Sequence, residues 1–134
     1  MKAYDIFPTD KGFFIGKKRV TGIYQTGRRI GIRNGTEKGD EFRLIRDYEN
    51  KYDERAVKVV GRFGDAIGFI EAKANDDVAF YLDSGCECLG VVTDIDKTCA
   101  TVGILLDVFC RCDADTMQKL SASYCEYMRS QTKL

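Results

Sequence analysis

The sequence predicts a small, mainly β fold of the α+β class, in which about six short strands form a curved, barrel-like sheet. Two observations lead to this prediction. Short apolar or alternating segments recur along the chain and are separated by glycine, asparagine and aspartate residues. Helical spacing of apolar residues occurs in the middle of the chain and again toward its end. With 134 residues the chain can bury one core, so a single domain is expected.

Six segments have the composition of strands, with β-branched or aromatic residues at many positions. The predicted strands cover residues 19–24, 40–46, 55–61, 66–70, 87–95 and 99–112. A tight connection separates the third from the fourth, which predicts a hairpin. The last is long enough to bend, and a bend or bulge is expected at Gly103. Residues 1–16 are predicted to be an N-terminal extension that packs on the domain formed by residues 17–134.

Two helices are predicted from apolar residues at helical spacing. The first is short and amphipathic, with Asn75 as its cap and Gly85 at its end. The second begins near Asp115, which resembles a capping box together with Gln118, and its apolar stripe is expected to pack on the core. This order of elements indicates a highly curved or barrel-like sheet, and that group includes the OB-type barrels, which hold single strands of nucleic acid on a strand face and in loops.

The residue content argues against catalysis. The chain has no histidine, which excludes Ser-His-Asp triads, Cys-His dyads and imidazole metal sites. It has no GxxxxGK[ST] phosphate-binding loop, and no pair of carboxylates stands out among its acids. We therefore expect a protein that is not an enzyme and that needs no cofactor.

The sequence carries no sign of a membrane segment. No stretch approaches the ~18 apolar residues of a membrane span. The N-terminal residues also lack the apolar core of a signal peptide. A cytoplasmic location without a membrane partner is therefore expected, with the cysteines mostly reduced.

Four of the six cysteines form two Cys-x-Cys pairs. Cys86 and Cys88 would share one face of their strand, as would Cys110 and Cys112. Antiparallel pairing about residue 99 would set position 86 opposite 112 and position 88 opposite 110, and the four sulfurs could then hold zinc. Flat strands do not wrap an ion, however, and the pairs lack the spacing of zinc knuckles. We therefore favour small apolar residues in a reduced interior over a metal site.

The charges are unevenly distributed although the net charge is zero. Seven basic residues and no acid lie between positions 11 and 36, so the rest of the chain carries −7. These residues are Lys11, Lys17, Lys18, Arg19, Arg28, Arg29 and Arg33. Together with Tyr24 and neighbouring phenylalanines, they form the pattern expected of a nucleic-acid surface. The alternative, which this feature by itself favours, is a solvated face balanced by acids elsewhere in the fold.

A dense polar segment, RDYENKYDER, lies directly before the third predicted strand. In a purely structural interpretation, Asn50 and Asp53 bind their own backbone in a turn, and Tyr52 places its ring in the core. In a functional interpretation, Asp53 accepts a hydrogen bond from a terminal hydroxyl. The side-chain amide of Asn50 then takes part in ligand recognition, and Tyr52 provides a wall or stacking surface. Arg46 would then contact a phosphate. The chemistry of these residues does not choose between the two.

The same segment resembles the HIRAN domain family. Residues 46–57, RDYENKYDERAV, are similar to the family's Arg-Glu/Asp-Pro-x-Asn-Pro-Tyr-Asp-x-Asn-Ala-Val core. Residues 64–70, GDAIGFI, resemble its next strand, and residues 79–85, AFYLDSG, resemble a helix that ends in glycine. A Val-x-Gly at the family's first strand is matched at residues 20–22. The resemblance covers about residues 19 to 95 in order and spacing.

This resemblance implies an OB-like barrel that binds DNA. In the best-understood members, the motif aspartate contacts the terminal 3′-hydroxyl of single-stranded DNA, and tyrosines of the first strand stack on bases. Asp53 and Asn50 match the motif positions, Tyr52 matches its tyrosine, and Arg46 matches the arginine that opens it.

The chain departs from the family pattern at several positions. Tyr48 and Lys51 replace the two prolines of the family pattern, and Arg55 replaces its second asparagine. The aromatic pair of the first strand is reduced to Tyr24, although Phe69 could supply a ring from a later strand. Glu71 and Ala72 occupy positions where DNA-end-binding members carry lysines, which weakens phosphate binding.

These features together predict a non-catalytic nucleic-acid-binding module for single-stranded DNA or DNA 3′ ends. It would serve DNA repair or remodelling with partner proteins. The predicted binding residues are Tyr24, Arg28, Arg46, Asn50, Tyr52, Asp53 and Phe69, with electrostatic attraction from Lys17, Lys18 and Arg19. The alternative is a protein-interaction domain that kept the fold and lost DNA-end binding, which the neutral net charge and Glu71 support.

Overall fold

The computed structural model describes residues 8–22, 35–61, 64–96 and 103–132. Its strands are β1 (Pro8–Thr9), β2 (Gly12–Thr21), β3 (Glu41–Arg46), β4 (Val57–Val60), β5 (Ala66–Ile70), β6 (Glu87–Asp96) and β7 (Gly103–Arg111). Its helices are α1 (Asp76–Asp83), which follows a 3₁₀ turn at Ala72–Ala74, and α2 (Ala114–Thr132). None of the helices in the described part of the chain is long and apolar enough to cross a membrane.

The strands close into a barrel. Their order is β2-β5-β4-β3-β6-β7, every pairing is antiparallel, and β7 pairs back with β2 to complete the ring. The short β1 adds to this ring by pairing with β2. The predicted fold is confirmed: a mainly β, OB-like barrel of six strands, with one helix inserted between strands and a second helix after the last strand.

The strand β2 begins seven residues earlier than predicted. Its first part pairs with β7 and its end pairs with β5, so it spans the junction that closes the barrel. The register shifts between Phe14 and Gly16, which breaks the two-residue alternation that reveals a strand in sequence. The strand therefore crosses the predicted boundary between residues 16 and 17. The division of the chain at that point stays a prediction.

The barrel interior is filled by alternate residues of the strands together with one face of each helix. Helix α1 packs against β3, β6 and α2. The fully or almost fully buried side chains include Leu44, Val57, Val59, Ile70, Val78, Tyr81, Val92, Ile104, Leu106, Val108 and Met117. Strand alternation is clear in β7, where buried and half-buried residues follow one another without interruption.

The helix ends differ in part from the prediction. Gly85 follows α1 with a φ of 94°, a conformation that glycine adopts without steric cost, so its predicted role is confirmed. The side chain of Asn75 does not cap α1, although its carbonyl accepts a hydrogen bond from Ala79 N–H at 2.9 Å. The predicted cap at Asp115 is wrong. Asp113 caps α2 instead, because its Oδ1 accepts from the Thr116 N–H at 2.7 Å.

The register of β6 and β7 follows the predicted antiparallel arrangement. Cys88 pairs with Cys110, so this part of the antiparallel pairing is centred on residue 99, as predicted. The irregularity in this ladder lies between Val92 and Asp94 and not at Gly103, which pairs with Asp96 at the start of β7. The predicted bulge position is therefore wrong.

Candidate nucleic-acid interface

Residues 47–56, here called the polar corner, connect β3 to β4. Asn50 shapes this turn, because its Oδ1 accepts hydrogen bonds from the N–H groups of Tyr52 at 2.9 Å and Asp53 at 3.0 Å. The Oδ1 of Asp53 accepts a further bond from the N–H of Arg55 at 2.9 Å. Bonds from side chains to backbone thus restrict the turn where the family pattern would use prolines.

A buried amide anchors the polar corner from outside. The Nδ2 of Asn75 donates to the Oδ2 of Asp53 at 2.8 Å and to the carbonyl of Arg55 at 2.9 Å. Asn75 is 0% exposed, and its Oδ1 has no hydrogen-bond partner among the described residues. The sequence indicates only a helix cap at this position, because nothing in local spacing shows that it contacts a loop some twenty residues away.

Arg46 ties the ends of the polar corner to α1. Its side chain is only 8% exposed, and its Nε donates to the Oδ1 of Asp83 at 2.9 Å. Its two terminal nitrogens donate to the carbonyls of Ala56 at 2.9 Å and Glu54 at 3.1 Å. The predicted phosphate contact of Arg46 stays a prediction, and a phosphate would have to compete with these three acceptors.

The polar corner displays two tyrosine rings. Tyr52 is 96% exposed, so the expectation that its ring enters the core is wrong. Tyr48 is 72% exposed, and the Arg46 guanidinium lies 4.5 Å from the centre of its ring. The Tyr48 hydroxyl donates to the Oδ1 of Asp83 at 2.6 Å, and this hydrogen bond raises the pKa of the hydroxyl. Tyr48 is not among the predicted site residues, because it occupies a proline position of the family pattern.

Phe69 lies on the outer face of the barrel, whereas Arg46 lies on the opposite face of the sheet. Phe69 pairs across the sheet with Thr21 on one side and with Lys58 on the other. Lys58 in turn pairs with Ile45. Paired residues project from the same face of a sheet, so these four residues form a row across four strands. Arg46 follows Ile45 directly and therefore faces the opposite side of β3. The structure does not place Phe69 and Arg46 on one surface.

The basic segment Lys17–Arg19 contacts acids from other elements. The Nζ of Lys17, the Nζ of Lys18 and the Nε of Arg19 each lie within ion-pair distance of a carboxylate. Their partners, in that order, are Asp107 at 3.0 Å, Asp77 at 3.0 Å and Glu71 at 3.4 Å. This arrangement matches the alternative of charges balanced by acids elsewhere. The predicted electrostatic role of Lys17, Lys18 and Arg19 stays a prediction.

Other cations have a more open environment. Lys51 and Arg55 are exposed residues of the polar corner, and neither makes an ion pair with any other described residue. Sequence comparison passes over them because they depart from the family pattern. The predicted binding residues Tyr24 and Arg28 lie outside the described residues, and their roles stay predictions.

The cysteines converge in a set that differs from the predicted one. The sulfur atoms of Cys86, Cys110 and Cys112 all lie within 4.8 Å of one another, and Cys88 is outside this group. Burial is the largest cause that raises the pKa of the Cys86 thiol, and it raises that of Cys112 to about 11. The alternative of a four-sulfur zinc site at Cys86, Cys88, Cys110 and Cys112 stays a prediction.

The closed six-stranded barrel, with a hydrogen-bonded loop between β3 and β4, defines an OB-like β-barrel module. The family model of the HIRAN domain matches residues 18–112. The chain therefore belongs to the HIRAN domain family. No curated protein sequence matches the chain.

Three solved structures have a similar fold. A protein from Lactobacillus plantarum is 22% identical, with a TM-score of 0.62 over 72% of this chain and 94% of that one. The crystal structure of the human HLTF HIRAN domain is 18% identical, with a TM-score of 0.58 over 88% of each chain. The NMR structure of the HLTF HIRAN domain is 19% identical, with a TM-score of 0.56 over 92% of this chain and 95% of that one.

Proposed function

We propose that this HIRAN domain is a non-catalytic module that binds single-stranded DNA and recognises its 3′ ends, in DNA repair or remodelling carried out with partner proteins. One observation carries the proposal. The polar corner carries the exposed ring of Tyr52 and two exposed cations, Lys51 and Arg55, on a turn fixed by hydrogen bonds.

Tyr52 supplies the stacking surface. An aromatic ring that is 96% exposed loses no protein contact when a base packs on it. Stacking of a base on an aromatic side chain contributes about 1–3 kcal/mol and tolerates any base sequence. Because the backbone beneath the ring is already ordered, binding also requires little further loss of conformational entropy.

Asp53 supplies a means to recognise the strand end. Each of its carboxylate oxygens accepts one hydrogen bond, from the Arg55 N–H and from Asn75 Nδ2. A carboxylate oxygen has room for a second donor, so a terminal 3′-hydroxyl can bind without displacing either contact. A terminal phosphate would bring negative charge against the same carboxylate, which predicts a preference for a free hydroxyl.

Binding of labelled single strands with free or phosphorylated 3′ ends, measured over a salt series, tests the proposal. Affinity for the free end should be higher and should fall as salt rises, since phosphate contacts release counterions. Tyr52→Ala should weaken binding about 5- to 150-fold, the equivalent of one stacked base. Tyr127→Ala, which removes a 41% exposed ring of α2, is the matched control and should leave affinity unchanged.

Asp53→Ala should abolish the preference for a free 3′-hydroxyl while leaving salt-dependent binding in place. Because this variant also loses a contact to Asn75, its melting temperature is measured first, and binding is compared where both proteins are folded. Retention of the end preference in a folded variant would contradict the role of Asp53.

The second candidate is a protein-interaction domain. It is favoured by the charge of the polar corner, where four acids outnumber two bases, and by the acids that pair with Lys17–Arg19. Failure of every strand to bind at low salt would remove the nucleic-acid proposal and leave this candidate.

A further inference from the structure

A cluster of sulfur atoms lies where β6 begins and β7 ends, separate from the residues proposed to bind DNA. The Sγ atoms of Cys86, Cys110 and Cys112 are all within 4.8 Å of one another. The Sδ of Met117 lies 3.9 Å from the Sγ of Cys112. Cys110 and Met117 are fully buried, Cys86 is 9% exposed, and Cys112 is partly exposed at the edge of the group. The cluster thus combines three thiols and one thioether.

The backbone fixes each member of this cluster. The left-handed Gly85 ends α1, and the N–H of Cys86 donates to the Tyr81 carbonyl at 3.1 Å, which sets Cys86 directly before β6. Cys110 lies near the end of β7 and Cys112 directly follows its last residue, and the chain there brings the two sulfur atoms within 4.8 Å of each other.

The start of α2 brings Met117 to the same place. The N–H of Met117 donates to the carbonyl of Asp113 at 2.9 Å, in the first turn of the helix. The carboxylate of Asp113 is occupied by the N–H and hydroxyl of Thr116, at 2.7 and 2.9 Å. Asp113 therefore orders the helix start that brings Met117 beside Cys112.

We propose that Cys86, Cys110 and Cys112 bind one soft d10 metal ion, Cu(I) or Zn(II), through their thiolates. A metal–sulfur bond of about 2.3 Å places thiolates of one site about 3.8–4.0 Å apart, so the observed group needs only a small contraction. Thiolate and thioether ligands select soft ions over Mg²⁺ or Ca²⁺.

The ion would replace the protons that the thiols otherwise keep. Three close thiolates repel one another in the absence of a cation, and one bound cation removes that repulsion. The partly exposed Cys112 is the member through which an ion can reach the buried pair.

Met117 separates the two candidate ions. Cu(I) accepts a thioether as an additional soft ligand, whereas Zn(II) fills its tetrahedron with thiolate, imidazole, carboxylate or water. Met117→Leu keeps the apolar volume and removes the sulfur. It should weaken Cu(I) binding and leave Zn(II) binding unchanged, so its effect identifies the ion.

The test is an anaerobic titration of the reduced, metal-free full chain with Cu(I), and separately with Zn(II), against a coloured chelator of known affinity. The chain should bind one equivalent of one of the two ions more tightly than the chelator does. Loss of a residue that only supports a metal ligand lowers metal affinity by about 10–100-fold. Cys112→Ser removes a ligand itself, so it should lower the affinity by more than that. Cys125→Ser, a cysteine of α2 outside the cluster, should not change it.

A second measurement uses the unaltered chain and so does not depend on the folding of a variant. Bound metal should protect Cys112 from a thiol-alkylating reagent, while labelling of Cys125 should continue, as read by mass spectrometry. Binding of neither ion at one equivalent, or equal loss of affinity in Cys112→Ser and Cys125→Ser, would overturn the proposal.

Discussion

The polar corner and the basic segment Lys17–Arg19 are both predicted from the sequence to contact nucleic acid, but the fold uses their polar groups differently. In the polar corner, Asn50 and Asp53 bind N–H groups of the same turn, and Tyr52 is left 96% exposed. In the basic segment, each cation contacts an acid from a different part of the fold. These acids lie in β7, in α1 and in the connection between β5 and α1. A polar residue that shapes its own loop can leave its neighbours available to a ligand, whereas a cation paired across the fold has less charge to offer.

The two regions should also differ in their contribution to stability. Loss of a buried hydrogen-bond partner costs about 1–3 kcal/mol for each group left unsatisfied. An exposed ion pair contributes only about 0–1 kcal/mol. Substitutions around the polar corner should therefore have larger effects than substitutions of Lys17 and Arg19, whose side chains are exposed, and Lys18, whose pair with Asp77 is part-buried, should lie between them.

Asn75→Ala should have the largest effect, with a loss of about 3 kcal/mol in the free energy of unfolding. It removes two hydrogen bonds from a fully buried amide and leaves the Arg55 carbonyl without its Asn75 donor. Urea unfolding measures the change. Lys73→Ala, whose side chain is 85% exposed, is the control and should stay within about 0.5 kcal/mol. A loss below about 1 kcal/mol for Asn75→Ala would show that the anchor is not needed.

Arg46→Met should cost about 2 kcal/mol, because it removes the Arg46 hydrogen bonds to the carbonyls of Glu54 and Ala56 and to Asp83, although the Ala56 carbonyl keeps its bond from the Asp47 N–H. Arg46→Lys keeps the charge but cannot reproduce three directed hydrogen bonds, so its loss should be intermediate. Thermal unfolding of both variants checks this order. Equal stability of Arg46→Lys and the unaltered protein would show that charge alone holds the corner to α1.

The pair of Lys18 and Asp77 gives a pH-dependent test of the basic segment. Burial raises the pKa of Asp77 above its ordinary value of 3.8, and the nearby Lys18 only partly opposes this. A carboxyl whose pKa is raised in the folded state stabilises the fold most at a pH below 3.8, and that contribution is lost as the pH rises through the folded pKa.

Asp77→Asn should therefore leave stability at neutral pH unchanged or higher, and should remove this loss of stability with rising pH. Lys18→Met should lower stability at neutral pH, because the buried carboxylate loses its cation, and the deficit should shrink in acid. Unfolding free energies measured from acid to neutral pH compare the variants. A deficit in Lys18→Met that is independent of pH would indicate lost packing instead.

The smallest effects are expected at Lys17 and Arg19. Lys17→Gln and Arg19→Gln should each change the free energy of unfolding by no more than about 0.5 kcal/mol. They should also leave the salt dependence of DNA binding nearly unchanged. Lys51→Gln and Arg55→Gln should each reduce the slope of log affinity against log salt by about 0.7, the value for one phosphate contact on a single strand. The reverse order of slopes would place the phosphate surface on the basic segment.

Much of the fold follows from local patterns. Strands β3, β5 and β6 are predicted to within one residue because their alternation and flanking turns are regular. The pairing of Cys88 with Cys110 follows from the symmetry of two antiparallel segments about residue 99. The start of β2 is missed because a register shift interrupts its alternation.

The sequence by itself determined the barrel class, the position of the polar corner and the residues Asn50 and Asp53 that shape it. These depend on two-residue periodicity and on side chains that bind their own backbone, both of which act over a few residues. Only the tertiary structure decided that Asn75 anchors the corner, which acids contact Lys17, Lys18 and Arg19, and which three of the four paired cysteines bring their sulfur atoms within 4.8 Å of one another. Each of these contacts joins residues that are distant in the chain, so it depends on how the strands, helices and loops pack against one another.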